Sequence, residues 1–176
     1  MSEFLIAFLL TFGTPSETTV NTTTTEQLRP QTKIQREADL RKWVPGYGDS
    51  FGGIDYVYGG KTSDGFDCSG FTKYIFNNYG IELSGHSGTQ ATQGKKIELK
   101  EAKPGDLIFF GRRGKVTHVG IVYSNTAEGI VAVHSTSSKG IMTQNVTKSS
   151  YWRPKIMFVR DVISQHLEET ELVTYH

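Results

Sequence analysis

The second half of the chain alternates short apolar segments with turn-forming residues. Five segments rich in β-branched and aromatic residues follow Pro104 and Gly105; they occupy 106–110, 118–123, 129–134, 140–143 and 156–162. Most of the gaps between them contain Gly, Asn or Ser. Short apolar segments bounded by turn formers are typical of β-strands. The pattern therefore predicts an antiparallel sheet of about five strands.

The first half of the chain predicts helices. Within 68–79 the apolar residues, among them Phe71 and Ile75, recur at helical spacing. Asp67 can cap the start of this helix, and Gly80 follows its end. Helices that precede a sheet in this way indicate an α+β domain.

A shorter helix is predicted from about 31 to 43, ended by Pro45 and Gly46. Its residues expected to face a core are Ile34, Leu40 and Trp43. Between residues 46 and 65 there are seven glycines, which predicts a loop there.

The N-terminal residues do not have the composition of a folded domain. The apolar segment 4–12 has about the length of a signal-peptide core and is too short to span a bilayer. Export is one explanation; a trimmed or vector-derived start is the other. Residues 14–25 are rich in Thr and predict a tether. We therefore divide the chain into a signal-like start and tether (1–30), a folded domain (31–163) and a polar tail (164–176).

Composition and charge exclude several classes of protein. The chain has 176 residues, 36% of them hydrophobic, which fits one soluble domain. Its 19 Lys and Arg nearly balance its 18 Asp and Glu, so there is no overall positive field for nucleic acid or an anionic membrane. With one cysteine, an internal disulfide and a zinc site built on paired cysteines are excluded. No cysteine follows the apolar start, so a lipid anchor is not predicted. No heptad repeat is visible, which favours a monomer.

The one cysteine, Cys68, lies at the first turn of the predicted helix and directly after the glycine-rich loop. A lone cysteine is more often a buried core residue than a reactive one. The start of a helix, however, carries unpaired N–H groups and the positive end of the helix dipole, which favour the nucleophilic thiolate. We therefore expect an ionised sulfur near the surface.

A thiolate requires a base, and two of the five histidines are good candidates. His118 begins an apolar strand after a basic turn, and His134 ends the next strand. An antiparallel hairpin with a turn near Asn125 would bring the two rings together. One imidazole would then orient the other. Each histidine can also be explained as a structural residue.

The order of motifs resembles the NlpC family of cell-wall cysteine peptidases. The motifs are YVYGG from Tyr56, FDCSGF around Cys68, KPGDLIFF from Lys103, HVGI from His118, and then His134. The resemblance spans roughly 50–162 and extends to the Tyr-Trp pair at 151–152. It looks closest to the murein endopeptidase lipoproteins of Gram-negative bacteria.

The resemblance implies a papain-like α+β fold in which the helix bearing the nucleophile packs on the sheet bearing the base. Cys68 and His118 match the catalytic pair of the family, and His134 matches its third polar residue. Tyr56 matches a tyrosine beside the nucleophile, where its hydroxyl and the backbone N–H of Cys68 can stabilise an oxyanion. An ordinary loop aromatic is the alternative for Tyr56.

Four further residues are candidates for binding substrate. Asp67 and Ser69 flank the nucleophile and can contact the peptide, although capping of the helix explains Asp67 equally well. Arg112 belongs to a small basic cluster suited to the carboxylates of a diaminopimelate peptide, with a solvated turn as the alternative. Ser87 follows His86 in a segment where relatives often have Arg followed by Ser, so His86 departs from the family pattern at a position suited to binding a carboxylate.

The resemblance implies a cysteine endopeptidase that cleaves peptide bonds in peptidoglycan stems or crosslinks through a thioester. An amidase or another thiol acyl-transfer enzyme on the same fold, and a catalytically silent wall-binding module, are the alternatives. The chemistry requires no metal and no organic cofactor. The expected partner is peptidoglycan peptide and not nucleic acid, and the expected location is the periplasm or cell envelope.

Overall fold

The structure, a computed structural model, describes residues 32–174. The apolar start and the Thr-rich tether predicted within 1–30 lie outside this range. The helices are α1 (Lys33–Asp49), α2 (Cys68–Asn77), α3 (Ser87–Gln90) and α4 (Ile163–Thr174). The strands are β1 (Lys61–Thr62), β2 (Gly65–Phe66), β3 (Lys95–Ile97), β4 (Leu107–Arg112), β5 (Lys115–Thr126), β6 (Gly129–Thr136), β7 (Gly140–Asn145) and β8 (Ile156–Asp161). Within 32–174, no helix combines the length and the apolar character that crossing a membrane requires.

The main sheet has six antiparallel strands in the order β3-β8-β4-β5-β6-β7. The α+β fold with an antiparallel sheet is confirmed, and each of the five predicted strands is present. The sheet has one strand more than expected because β3 was missed. The small hairpin of β1 and β2 was missed as well. Strands of two or three residues are too short to show alternation between apolar and polar positions.

Helix α2 starts at Cys68 as the sequence indicates and ends at Asn77, two residues before the predicted end at Tyr79. The Asp67 side chain accepts a hydrogen bond from the backbone N–H of Gly70 at 2.6 Å, which caps the helix at its first turn. Phe71 and Ile75 are fully buried against the sheet. A side chain at position 70 would run into the backbone carbonyl of Gly60, so only glycine lets α2 approach the preceding loop.

Helix α1 is longer than predicted, and its buried face differs from the one expected. It continues through Pro45 to Asp49, and both Val44 and Pro45 are buried. The stripe that packs on the domain passes through Val44 and Gly48; a Cβ at Gly48 would lie only 3.2 Å from Val133 Cγ1. Ile34 and Trp43 lie off this stripe and are 82% and 49% exposed, so their predicted core positions are wrong. Leu40 is partly buried against the core.

Residues 164–176 include a packed helix where the sequence predicts only a polar tail. Ile163 and Leu167 of α4 are almost fully buried in the same core as α2. Next to this contact, the guanidinium of Arg41 lies 2.9 Å from a carboxylate oxygen of Asp106 and 2.8 Å from one of Asp161. This buried charge cluster joins α1, the start of β4 and the end of β8.

Candidate active site

One groove brings together four of the eight site residues that the sequence singles out: Tyr56, Cys68, Arg112 and His118. Its volume is about 570 Å³. We call it the active-site groove and define it by its lining, which is Tyr56, Cys68, Phe110, Gly111, Arg112, Thr117, His118, Thr136, Ser137, Ser138, Lys139, Met142, Gln144, Ser149, Tyr151, Trp152 and Lys155. Cys68 from α2 and His118 from β5 therefore face the same space.

Cys68 is the first residue of α2, and 9% of its surface is exposed. Burial raises the pKa of the Cys68 thiol above its ordinary value, although the backbone N–H groups of Val119 and Ser69 act in the opposite direction. The expected surface thiolate is therefore corrected: in the resting site desolvation outweighs the helix start, and the sulfur carries a proton. A base must remove this proton before the sulfur can attack.

The two histidines meet as the sequence predicts. Ile121 of β5 is opposite Val133 of β6, so His118 and His134 lie diagonally on one face of the sheet. The Nε2 atom of His118 is 2.9 Å from Nδ1 of His134. A Cβ at Gly120, which lies between them in the sheet, would be 3.0 Å from the Cβ of His134. The small residue of the HVG motif therefore leaves room for the His134 ring.

Both imidazoles are neutral in the resting site. His134 is fully buried, and burial lowers its pKa to about 4. Burial, His134 and Lys155 together lower the pKa of His118 well below its ordinary value. A neutral imidazole can accept a proton, which is the property that a general base requires. Because Nε2 of His118 is engaged by His134, Nδ1 is the atom left to act in the groove.

Aromatic rings enclose the histidine pair. Trp152 stacks on His118 with a centroid distance of 4.5 Å and contacts His134 edge-on at 4.8 Å. Phe110 packs against both histidines and against Trp152. The Lys155 ammonium lies 5.6 Å from the Trp152 ring. Sequence reasoning assigns no role to Trp152 or Lys155; the only signal is the aromatic pair at 151–152.

Tyr56 lies at the groove on the loop before β1, where its backbone forms an isolated bridge with Phe66. Burial, followed by the charges that Cys68 and Asp67 can carry, raises the pKa of the Tyr56 phenol. The phenol is therefore a hydrogen-bond donor at neutral pH, close to the sulfur. This placement fits the oxyanion role that the resemblance implies.

The four predicted substrate contacts do not all reach the groove. Arg112 lines it, whereas Asp67, Ser69 and Ser87 are not part of its lining. The Ser69 hydroxyl lies 2.9 Å from Asp67 and 3.0 Å from the carbonyl of Gly85, so both side chains hold the start of α2 in place. Ser87 is the first residue of α3.

The groove is cationic although the chain is nearly neutral. Arg112, Lys139 and Lys155 line it, and its described lining contains no Asp or Glu. Such a groove favours ligands with free carboxylates. Lys139 and Lys155 were missed in the sequence because they come from separate turns that only the fold brings together.

A cysteine at a helix start and a histidine that face one groove, with a second histidine buried against the first on the neighbouring strand, form the arrangement of papain-like cysteine hydrolases. The model of the NlpC/P60 family matches residues 53–161. The chain belongs to the NlpC/P60 family.

Several named proteins are similar to this chain. It is 48% identical over 69 residues to the probable endopeptidase p60 of Listeria grayi, covering 39% of this chain and 14% of the relative. It is 39% identical over 104 residues to the gamma-DL-glutamyl hydrolase of Bacillus subtilis, covering 57% of this chain and 24% of the relative. It is 29% identical over 133 residues to the murein DD-endopeptidase MepS/murein LD-carboxypeptidase of Escherichia coli, covering 75% of this chain and 68% of the relative. The chain thus spans less than a quarter of the first two relatives.

Solved structures have the same fold. The NlpC/p60 domain of the peptidoglycan hydrolase SagA matches with a TM-score of 0.55 and 28% identity, covering 74% of this chain and 99% of that one. An NlpC/P60 family protein from Bacillus cereus matches with a TM-score of 0.63 and 25% identity, covering 76% of this chain and 44% of that one. These matches confirm the papain-like α+β fold.

Proposed function

We propose that this protein is a cysteine endopeptidase that cleaves peptide bonds in peptidoglycan stem peptides or crosslinks. The observation that carries the proposal is the shared groove, where Cys68 and the neutral imidazole of His118 face the same space. The names of the relatives agree in kind, since they include endopeptidases and a gamma-DL-glutamyl hydrolase. We also propose that the protein acts in the cell envelope, where peptidoglycan is found.

The proposed reaction has two steps. His118 takes the proton of the Cys68 thiol, the sulfur attacks the substrate carbonyl, and the peptide C–N bond breaks as His118 returns the proton to the departing amine. A water molecule then gives a proton to His118 and attacks the thioester. The carbon–sulfur bond breaks, the acid leaves, and the thiol regains its proton.

Other groups in the groove support these steps. The Tyr56 hydroxyl and the backbone N–H of Cys68, which has no helical partner at the first turn, are the proposed oxyanion donors. Arg112, Lys139 and Lys155 provide cations for the free carboxylates of a stem peptide. We propose no substrate contact for Asp67, Ser69 or Ser87, because the first two hold the helix start and none of the three lines the groove.

The experiment compares the wild-type protein with Cys68→Ala on purified peptidoglycan and its soluble fragments. Mass spectrometry of the products identifies the bond that is cut. A peptidase leaves the sugar attached to the first amino acid of the stem, whereas an amidase separates them. Sedimentation with insoluble walls measures binding independently of cleavage, and urea unfolding checks that the variant is folded.

We expect peptide products from the wild-type protein, none from Cys68→Ala, and equal wall binding by both. Free stem peptides released intact from the sugar would identify an amidase instead. Wall binding without cleavage by either protein would identify a silent binding module. Size-exclusion chromatography with light scattering tests the further prediction that the protein is a monomer.

A further inference from the structure

Gln144 on β7 contacts the histidine pair from the side opposite His118. Its side-chain nitrogen Nε2 lies 2.8 Å from Nε2 of His134 and 3.4 Å from the sulfur of Met142. In the sheet, Gln144 is opposite Ala132, which places it diagonally to His134 on the same face. Its side chain also lines the active-site groove. No motif in the sequence singles out Gln144.

The contact with Gln144 matters because each ring nitrogen of His134 faces a hydrogen-bonding partner, so the partners decide which nitrogen carries the proton. The ring is fully buried, with Nδ1 facing His118 and Nε2 facing Gln144. A neutral imidazole has one donor nitrogen and one acceptor nitrogen. If Gln144 donates a hydrogen bond to Nε2, Nδ1 is the donor nitrogen of His134; if Gln144 accepts one, Nδ1 is the acceptor. The role of Nδ1 in turn decides which nitrogen of His118 carries the proton.

The amide nitrogen and the amide oxygen of Gln144 place the His118 proton on opposite ring nitrogens. When the amide nitrogen donates to His134, the His134 proton is on Nδ1 and is donated to Nε2 of His118. The His118 proton is then on Nδ1, which cannot accept a proton from Cys68. When the amide oxygen faces His134 instead, both hydrogen bonds reverse, and Nδ1 of His118 has a free lone pair. Rotation about the last side-chain torsion of Gln144 exchanges these two forms.

We propose that Gln144 is a positioning residue that sets the tautomer of the His118–His134 pair, and that the reactive form has its carbonyl oxygen facing His134 Nε2. The form in the structure, with the amide nitrogen facing His134, is the resting form in which Cys68 keeps its proton. This inference rests on the proposed function, because it assumes that His118 is the base. It adds a residue that acts through His134 and does not touch the reacting atoms.

Few charged groups near the histidine pair could set its protonation in place of Gln144. The titratable and charged groups that line the groove beside His118 are Tyr56 before β1, Cys68 on α2, Arg112 on β4, Lys139 between β6 and β7, and Tyr151 and Lys155 between β7 and β8. All three permanent charges are positive. A carboxylate at position 144 would be the first negative side chain in the described lining, in direct contact with His134.

The test measures how fast iodoacetamide alkylates Cys68 between pH 4 and 9. Cys68 is the only cysteine of the chain, so the modified fraction from mass spectrometry reports on this thiol alone. The variants are Gln144→Glu, which can only accept when ionised, and Gln144→Met, which is similar in size and has no strong hydrogen bond. Gln165→Glu is the matched control, because it makes the same change on the exposed surface of α4.

We expect Gln144→Met to slow alkylation at pH 7 by about tenfold, because the imidazolium of His118 loses the acceptor at the far end of the pair. We expect Gln144→Glu to move the acid limb of the profile upward by about one pH unit or more, because a carboxylate stabilises the protonated pair. Gln165→Glu should follow the wild-type profile. Urea unfolding of each variant checks that it is folded.

A space-filling role for Gln144 predicts that the methionine variant behaves like the wild type. That result, or equal profiles for the two variants at position 144, would overturn the proposal. The assay uses no peptidoglycan, so it separates this inference from the proposed function. If the protein does not cleave walls but the alkylation profiles change as expected, only the proposed substrate is refuted. If the protein cleaves walls but the variants at position 144 have the wild-type profile, only the role of Gln144 is refuted.

Discussion

His134 makes the stability of this protein depend on pH, and His134→Gln should remove much of that dependence. Burial lowers the pKa of His134 to about 4 from an ordinary value of 6.5. Between these two values the unfolded chain binds a proton that the folded chain does not. The stabilising contribution is therefore complete above about pH 6.5 and is lost as the pH falls towards 4.

The size of the effect follows from the same two values. A difference of about 2.5 units, at about 1.4 kcal/mol per unit, sets an upper limit of about 3.5 kcal/mol. Most of this, about 2–3 kcal/mol, should be lost between pH 7.5 and 4.5. Glutamine has no ionisable ring, so the variant lacks this contribution at every pH. Its packing against Trp152 and Phe110 also changes, but that cost is the same at both pH values.

The assay is urea unfolding followed by circular dichroism at pH 7.5 and pH 4.5. The loss of unfolding free energy on acidification should be smaller in His134→Gln than in the wild type by about 2–3 kcal/mol. The control His166→Gln removes an imidazole from α4, outside the site, and should follow the wild type. Equal losses in the wild type and His134→Gln would refute the argument that His134 is buried in its neutral form.

Three further variants test other parts of the structure. Gly70→Ala should lower the unfolding free energy by about 1–3 kcal/mol and reduce wall cleavage, because the new methyl group displaces the loop packed on α2. Arg41→Met should cost about 3–5 kcal/mol at pH 8 and less at pH 5. It leaves Asp106 buried without its cation, and burial already raises the pKa of that carboxyl to about 6, so protonation relieves the cost. Lys155→Met should move the acid limb of Cys68 alkylation to higher pH, because Lys155 lowers the pKa of His118.

Two of these variants have a matched control, and Arg41→Met is compared with itself at two pH values. Gly46→Ala introduces the same methyl group in α1 with no atom within 4 Å, so it should be neutral or stabilising in the same urea unfolding measurements. A cost for Arg41→Met that does not change with pH would contradict the account of the buried charges. Lys148→Met removes an exposed ammonium paired with Glu128. It should leave the alkylation profile unchanged, and an equal shift in both lysine variants would refute a local effect of Lys155.

Part of the candidate site could be predicted from short stretches of sequence. The capping Asp67 and the spacing of Phe71 and Ile75 locate the start of α2, and with it Cys68. The strand-like segments place His118 and His134 on neighbouring strands. The contacts of Gln144 and Trp152 with the histidine pair could not be predicted in this way. They depend on the register of β7 against β6 and on the path of the chain after β7, which are set by contacts distant in sequence.

By itself, the sequence determined the α+β class, five of the six strands of the main sheet, the start of α2, and the pairing of a cysteine with two histidines. These features depend on periodicity, capping and turn residues, which act over a few neighbouring positions. Only the tertiary structure decided that α1 continues past Pro45, that α4 packs on the core, and that the resting Cys68 thiol keeps its proton. Each of these outcomes depends on burial, and burial is the sum of contacts from parts of the chain that are far apart in sequence.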